Sequence, residues 1–307
     1  MTEAENQKSI VAFCSAHYVG IDHLPHGLKD IIAWCIGPYY RFVSDLAESN
    51  VVQSQDATDG IILKLLQRCS EVMASVLVLL CTRQPQSAEA LSRTIMESAL
   101  TTLYIVSQDS SARVIQYFEA YVRQERQQNK SWKKTIAESR APWVGEHRRR
   151  INDKDKYLDG YERLIESLAA HVNTTYPPKR GWPVLYDICR YLGKAVEYRT
   201  VYAAMCSQSH HDAEDILNDL VVGVIRSDTE IQENVRREKN NFSLHLVLLA
   251  SGYFLEAVQA VASKYGLKSA GGLCERSSEE ISRKMAEITA EEFLGHDPDV
   301  LLPKSQI

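Results

Sequence analysis

Apolar residues recur at three- and four-residue spacing along almost the whole chain, and alternating runs of β-branched residues are few. That periodicity predicts an all-α fold, a multi-helix bundle of about ten helices. The clearest case is residues 210–226, where Ala213, Ile216, Leu217, Leu220, Val221, Val224 and Ile225 all fall on one helical face. Only fourteen glycines interrupt the 307 residues.

Helix signals divide the chain further. A helix is predicted from Leu28 to Ser49, with Pro38 kinking or breaking it, and another from Asp59 to Thr82, closed by Pro85. Ser87 is then expected to cap Ala88 to Ser107, with Glu89 in the first turn, where the helix dipole favours a carboxylate. Beyond Ile95 this helix is apolar on almost every side, which predicts burial all round. Two long charged helices, Ala112 to Glu138 and Glu146 to His171, flank the turn "SRAPWVG".

The breaker-rich loop "NTTYPPKRGWP" is the best internal boundary. Shorter helices follow from Val184 to Gly193 and from Glu197 to Cys206. The capping box "SDTE" opens a long helix to about Tyr265, and "SSEE", Ser277 to Glu280, opens the last one. On these signals residues 1–55 form an N-terminal helical extension, 56–265 a helical core domain, and 266–307 an acidic C-terminal helix and tail.

Composition narrows the class. With 45% apolar and 24% charged residues the chain is an ordinary globular protein. The polar opening "MTEAENQKSI" lacks the pattern of a secretory signal, so a cytoplasmic location is expected. The longest apolar runs, Val72 to Cys81 and Leu246 to Ala262, read as buried core helices and no membrane association is expected: the first is too short to span, and the second carries Glu256. Seven cysteines without a C-x-x-C pair indicate neither a disulfide framework nor a zinc ribbon, and Cys35, Cys69, Cys81 and Cys189 read as small buried hydrophobes. The net charge of -5 argues against nonspecific coating of nucleic acid. Locally, however, Arg123 to Lys156 holds eleven Lys/Arg against five acids. That segment is a solvated pair of charged helices or a phosphate-binding surface.

Three features carry chemistry. In "SQSHHDAEDI", Ser209 and Asp212 form a capping box, and Glu214 and Asp215 complement the dipole. The box leaves His210 and His211 unaccounted for. A helix N-terminus stabilises neutral imidazole, so either would be a base or a metal ligand beside amides that attract phosphate. In "SRTIMES", Arg93 and Glu97 stand at i, i+4 on a face that continues as Leu100 and Tyr104. They are a structural ion pair, or an anion clamp with an orienting carboxylate. Upstream of the histidines, Tyr198, Tyr202 and Ser209 share one helical stripe.

These residues also carry a resemblance. With Arg93, Glu97 and Ser98 in R-x-x-x-E-S, and Tyr202, Ser207 and His210 in Y-x-x-x-x-S-x-x-H, the chain resembles a family of uncharacterised bacterial helical proteins, a domain of unknown function. The likeness covers roughly Ile61 to Arg226, with Trp182 and Tyr198 between the motifs. It implies an all-helical fold with both motifs in one place. A looser similarity is to HEPN-type helical modules of toxins and phage defence, whose ribonucleases use R-x(4 to 6)-H. Arg199 and His210 are separated by ten residues and do not meet that spacing; Arg140 and His147 meet it across Pro142 and Gly145.

The expected site is therefore Arg93, Glu97, Tyr202 and His210 or His211 in one polar pocket, with no cofactor and an undefined metal requirement. The leading function is a nucleic-acid enzyme, a ribonuclease or defence module acting on RNA or another phosphate-bearing ligand, with Trp132 and Trp143 as stacking surfaces. A metal-dependent phosphohydrolase would use His171, His211 and Asp212, or His211, Asp215 and Glu97. A noncatalytic homo-oligomeric regulator would pair Glu275, Glu279, Glu280, Glu287, Glu291 and Glu292 with the basic segment of another subunit.

Overall fold

A computed structural model describes residues 3–24, 27–49, 57–208 and 229–293. Among them every regular element is a helix or helical turn. In order these are α1 (Glu3–Ala16), a 3-10 turn (Ile21–His23), α2 (Leu28–Glu48), α3 (Ala57–Cys81), α4 (Pro85–Ser107), α5 (Ser110–Ala137) and α6 (Val144–His171). There follow α7 (Leu185–Tyr191), α8 (Ala195–Glu197), a π-helical turn (Tyr198–Tyr202), α9 (Ala203–Gln208), α10 (Thr229–Lys264) and α11 (Lys268–Phe293).

α4 and α10 form the most extensive pairing, with α3 against α4, α11 against α10, α2 against α11, and α1 against α2. One apolar cluster runs through all six of these helices, including Phe13, Ile32, Met73, Leu77, Met96, Leu100, Phe254, Val258 and Ile281. Each such side chain, fully removed from water, stabilises the fold by about 1.5–3 kcal/mol. Beyond Ile95 the burial is not all round: Ile95, Met96, Ala99, Leu100, Leu103 and Ile105 are buried, while Glu97, Thr101, Tyr104 and Val106 are half-buried. α10 contains the one helix segment, among the described residues, long and apolar enough to cross a membrane, and its apolar window is mostly covered by the other helices.

Several boundaries differ from expectation, each for a local reason. α2 runs through Pro38, which is buried beside Gly37 and Ile36. The missing amide there removes one backbone bond, and packing offsets it. α4 starts at Pro85, not after Ser87: proline's fixed φ suits the first helical position, whose amide has no helical acceptor to lose. α11 starts at Lys268, nine residues before the "SSEE" box, so Ser277 is a buried mid-helix residue. Gly266, at φ +71°, ends α10, and the Ala270 amide of α11 donates to Asp45 Oδ2 of α2 at 3.0 Å. The cap that sets the start of α11 thus comes from another helix. α1 was not foreseen; it is held by Ile10, Phe13 and Cys14 on one narrow stripe. Cys35, Cys69 and Cys189 are buried as expected, and Cys81 is half-buried.

α5 and α6 form an antiparallel hairpin with a second, small core of Ile115, Val122, Leu158, Ile165 and Ala169. Asn129, buried at its centre, donates to the Ile151 carbonyl and to Asp155. After α6, the breaker-rich loop brings Trp182 back against Tyr104 and Tyr117.

Candidate functional site

The i, i+4 row Glu89, Arg93 and Glu97 runs along α4 and holds all the charged residues of that helix. Arg93 Nε donates to Glu97 Oε1 at 2.8 Å, and the Tyr202 hydroxyl donates to the same oxygen at 2.6 Å. The Arg93 guanidinium also lies over the Tyr202 ring, 5.2 Å from its centroid. Tyr202 reaches this position from the π-helical turn, where α9 packs against α4. A π turn inserts one extra residue into a helical repeat and re-aims the side chains that follow, a device frequent at functional sites. Here Tyr198 stacks on Tyr202 with centroids 5.0 Å apart and planes 17° from parallel, and Arg199 caps Tyr198 and Tyr186.

The cluster is accessible without being loose. Arg93 and Glu97 side chains are 28% and 40% exposed. Burial, then the hydrogen bond to Glu97 and its charge, push the Tyr202 phenol well above its ordinary range. The Glu97 hydrogen bond raises Arg93 in turn. At neutral pH the site therefore holds a permanent cation and a neutral phenol fixed to one carboxylate oxygen.

Glu89 is a residue that the sequence argument placed wrongly. It lies beyond the first turn of α4 and is 3% exposed, and Ser243 Oγ of α10 donates to its Oε2 at 2.6 Å. The signal was present in the i, i+4, i+8 spacing of Glu89, Arg93 and Glu97. It was obscured because the start of α4 was set three residues late.

Seven of the eleven cations of the basic segment stand in ion pairs. Arg123 pairs with Glu119, Arg126 with Asp159 and Glu162, Lys133 with Asp155, and Lys154 with Glu125. Arg149 and Arg150 share Glu146, and Lys156 pairs with Asp153. This matches the solvated helix pair. Trp132 and Trp143 both flank His147, with ring centroids at 5.4 and 4.8 Å, at the hairpin tip, where Trp143 is half exposed. In α11, Glu280 and Glu287 pair with Arg283 and Lys284 of their own helix, and Glu275 accepts from Gln259 of α10.

His210 and His211, with the helix predicted after them and the side chain of Ser207, lie outside the described residues, as do Asp212, Asp215 and Ser209. Of the expected pocket, Arg93, Glu97 and Tyr202 are thus brought together. Among the described residues no group of three His, Cys, Asp or Glu is arranged to hold a metal. His171 sits exposed at the C-terminal end of α6.

A family model described as a family of unknown function, DUF5677, matches residues 59–224. The chain belongs to the DUF5677 family. The matched DUF5677 region contains Arg93, Glu97 and Tyr202, and also the α5–α6 hairpin. Ser243, the partner of Glu89, lies outside it, as do α1, α2, α10 and α11, which complete the main core. No curated protein and no solved structure matches the chain.

Proposed function

We propose that this protein acts on RNA as a HEPN-like ribonuclease, with Arg93, Glu97 and Tyr202 as one wall of the site and His210 or His211 as the base. The observation that carries this reading is the convergence of Arg93 and Tyr202 on a single oxygen of Glu97, in a partly exposed cluster eight residues before His210. Arg93, held as a cation, would stabilise charge building on the phosphoryl oxygens. A histidine would take the proton of the ribose 2′-hydroxyl as that oxygen attacks phosphorus, and the 5′-oxygen would leave with a proton from the conjugate acid. Glu97 and Tyr202 position Arg93. The basic segment, with most of its cations in ion pairs, contributes little phosphate affinity in this scheme, so binding depends on the site itself.

The test is cleavage of labelled RNA in chelator by the wild type, Arg93→Ala, Glu97→Gln, and a variant with both His210→Ala and His211→Ala. The reading expects wild-type cleavage and a loss of at least 100-fold in the first and last variants, in keeping with the worth of one such group. Cleavage that needs added manganese would favour a phosphohydrolase. A second reading, a noncatalytic regulator, is favoured by the exposed apolar side chains Tyr121, Tyr161 and Leu164 on the hairpin. In that case no variant changes turnover, because there is none.

A further inference from the structure

A cavity of about 540 Å³ opens where the end of α4, the start of α5 and α7 meet, and three guanidinium groups, Arg113, Arg180 and Arg190, line it. Arg113 is only 8% exposed. It donates to the Tyr104 carbonyl and to the Ser107 hydroxyl, and its guanidinium lies 3.9 Å from the Tyr104 ring centroid and 4.7 Å from that of Tyr191. Those partners satisfy hydrogen bonds and offer π faces, but none carries a full negative charge. Among the described residues no carboxylate pairs with Arg113; a cation withdrawn from water without one is costly, and a bound anion removes the cost.

The rest of the lining agrees. Arg190 has Asp187 at 3.1 Å, and Asp109 is engaged in capping α5 through the Ala112 amide at 3.2 Å. The cavity therefore keeps a net positive charge. The Tyr191 phenol, also on the lining, is held below its ordinary range chiefly by its hydrogen bond from Arg113. The volume lies within the range of small-ligand sites and well above what one phosphate group fills.

We propose that this cavity binds a nucleoside monophosphate, with its phosphate between Arg113 and Arg180 and its sugar hydroxyls facing the carboxylates of Asp109 and Asp187. Guanidinium forks suit phosphate because they offer paired donors in a plane, and carboxylates suit vicinal hydroxyls as acceptors. The site is separate from the Arg93 cluster: Tyr104 stands seven residues beyond Glu97, about 10 Å along α4 at 1.5 Å per residue. It does not rest on the ribonuclease reading.

The experiment is isothermal titration of the full chain with the four ribonucleoside 5′-monophosphates, with adenosine, and with inorganic phosphate. Because replacing the near-buried Arg113 endangers folding, the variant is Arg180→Gln with Arg190→Gln, both exposed positions; Arg68→Gln, exposed on α3, is the control. The proposal expects saturable binding of at least one monophosphate, weakened 10-fold or more in the double variant and unchanged in Arg68→Gln. Adenosine and inorganic phosphate should each bind at least 10-fold more weakly. No saturable binding of any monophosphate, equal binding of inorganic phosphate, or undiminished binding in the double variant would each overturn it.

Discussion

α4 and the α5–α6 hairpin meet the same problem, charged side chains on long helices, in opposite ways. In the hairpin, charges are many, exposed and paired along or across the two helices, around a core of five apolar residues. On α4 they are few, set in a helix buried on most sides, and tied to residues far away in sequence, Tyr202 and Ser243. Dense charge on a helix surface is mainly solvation. A sparse charged row on a buried helix has a desolvation cost that each partner must offset, and that makes it informative.

The comparison is broken or sharpened most directly in the cores. Leu100→Ala should cost about 2–5 kcal/mol in denaturant unfolding, since α4 is enclosed on several sides and cannot collapse into the cavity. Leu158→Ala should fall at the low end of that range, with hydrogen exchange quickened in α5 and α6 and unchanged in α4 and α10. Equal losses with global exchange would mean that the hairpin is as integral as the main bundle.

Next comes Ser243→Ala, which removes a hydrogen bond to the buried Glu89 carboxylate and should cost about 1–3 kcal/mol by thermal or chemical unfolding. Loss of under half a kcal/mol would place Glu89 with the hairpin's solvated acids.

Tyr202→Phe should cost less, about 1 kcal/mol, because the Glu97 side chain it bonds is partly exposed. It also has a pH signature. The folded-state phenol is raised, so the neutral form is favoured by folding; its stabilisation is complete below the unfolded value near 10 and is lost as pH rises through the folded value. Absorbance titration at alkaline pH should therefore show one late-ionising tyrosine fewer in Tyr202→Phe than in the wild type, where buried Tyr253 also ionises late. A superimposable pair of titrations would remove Tyr202 from the site.

The smallest effect is expected at Arg126→Ala. Although Arg126 contacts both Asp159 and Glu162, all three are partly exposed, and the change should stay within about 1 kcal/mol and shrink with salt.

The candidate site was half legible in the same way. Arg93 and Glu97 could be paired from their spacing, since residues four apart on a helix always share a face. That Tyr202 joins them depends on how α9 crosses α4 and on a π turn, and neither leaves a mark in local periodicity. Glu89 was misread because its burial comes from α10, 154 residues further along the chain. The Arg113 cavity was not legible at all, for it gathers residues from α4, α5, α7 and the loop before it.

By itself, the sequence determined the helical class, most helix boundaries, the buried faces of α3, α4 and α10, and the charged character of the hairpin. Those properties follow from patterns repeating over one or two turns, and backbone geometry turns such patterns directly into faces. Tertiary structure alone decided where α11 begins, which carboxylates are buried, and which cations find partners. These depend on groups brought together by packing, as when Asp45 of α2 caps α11, and no local pattern encodes them.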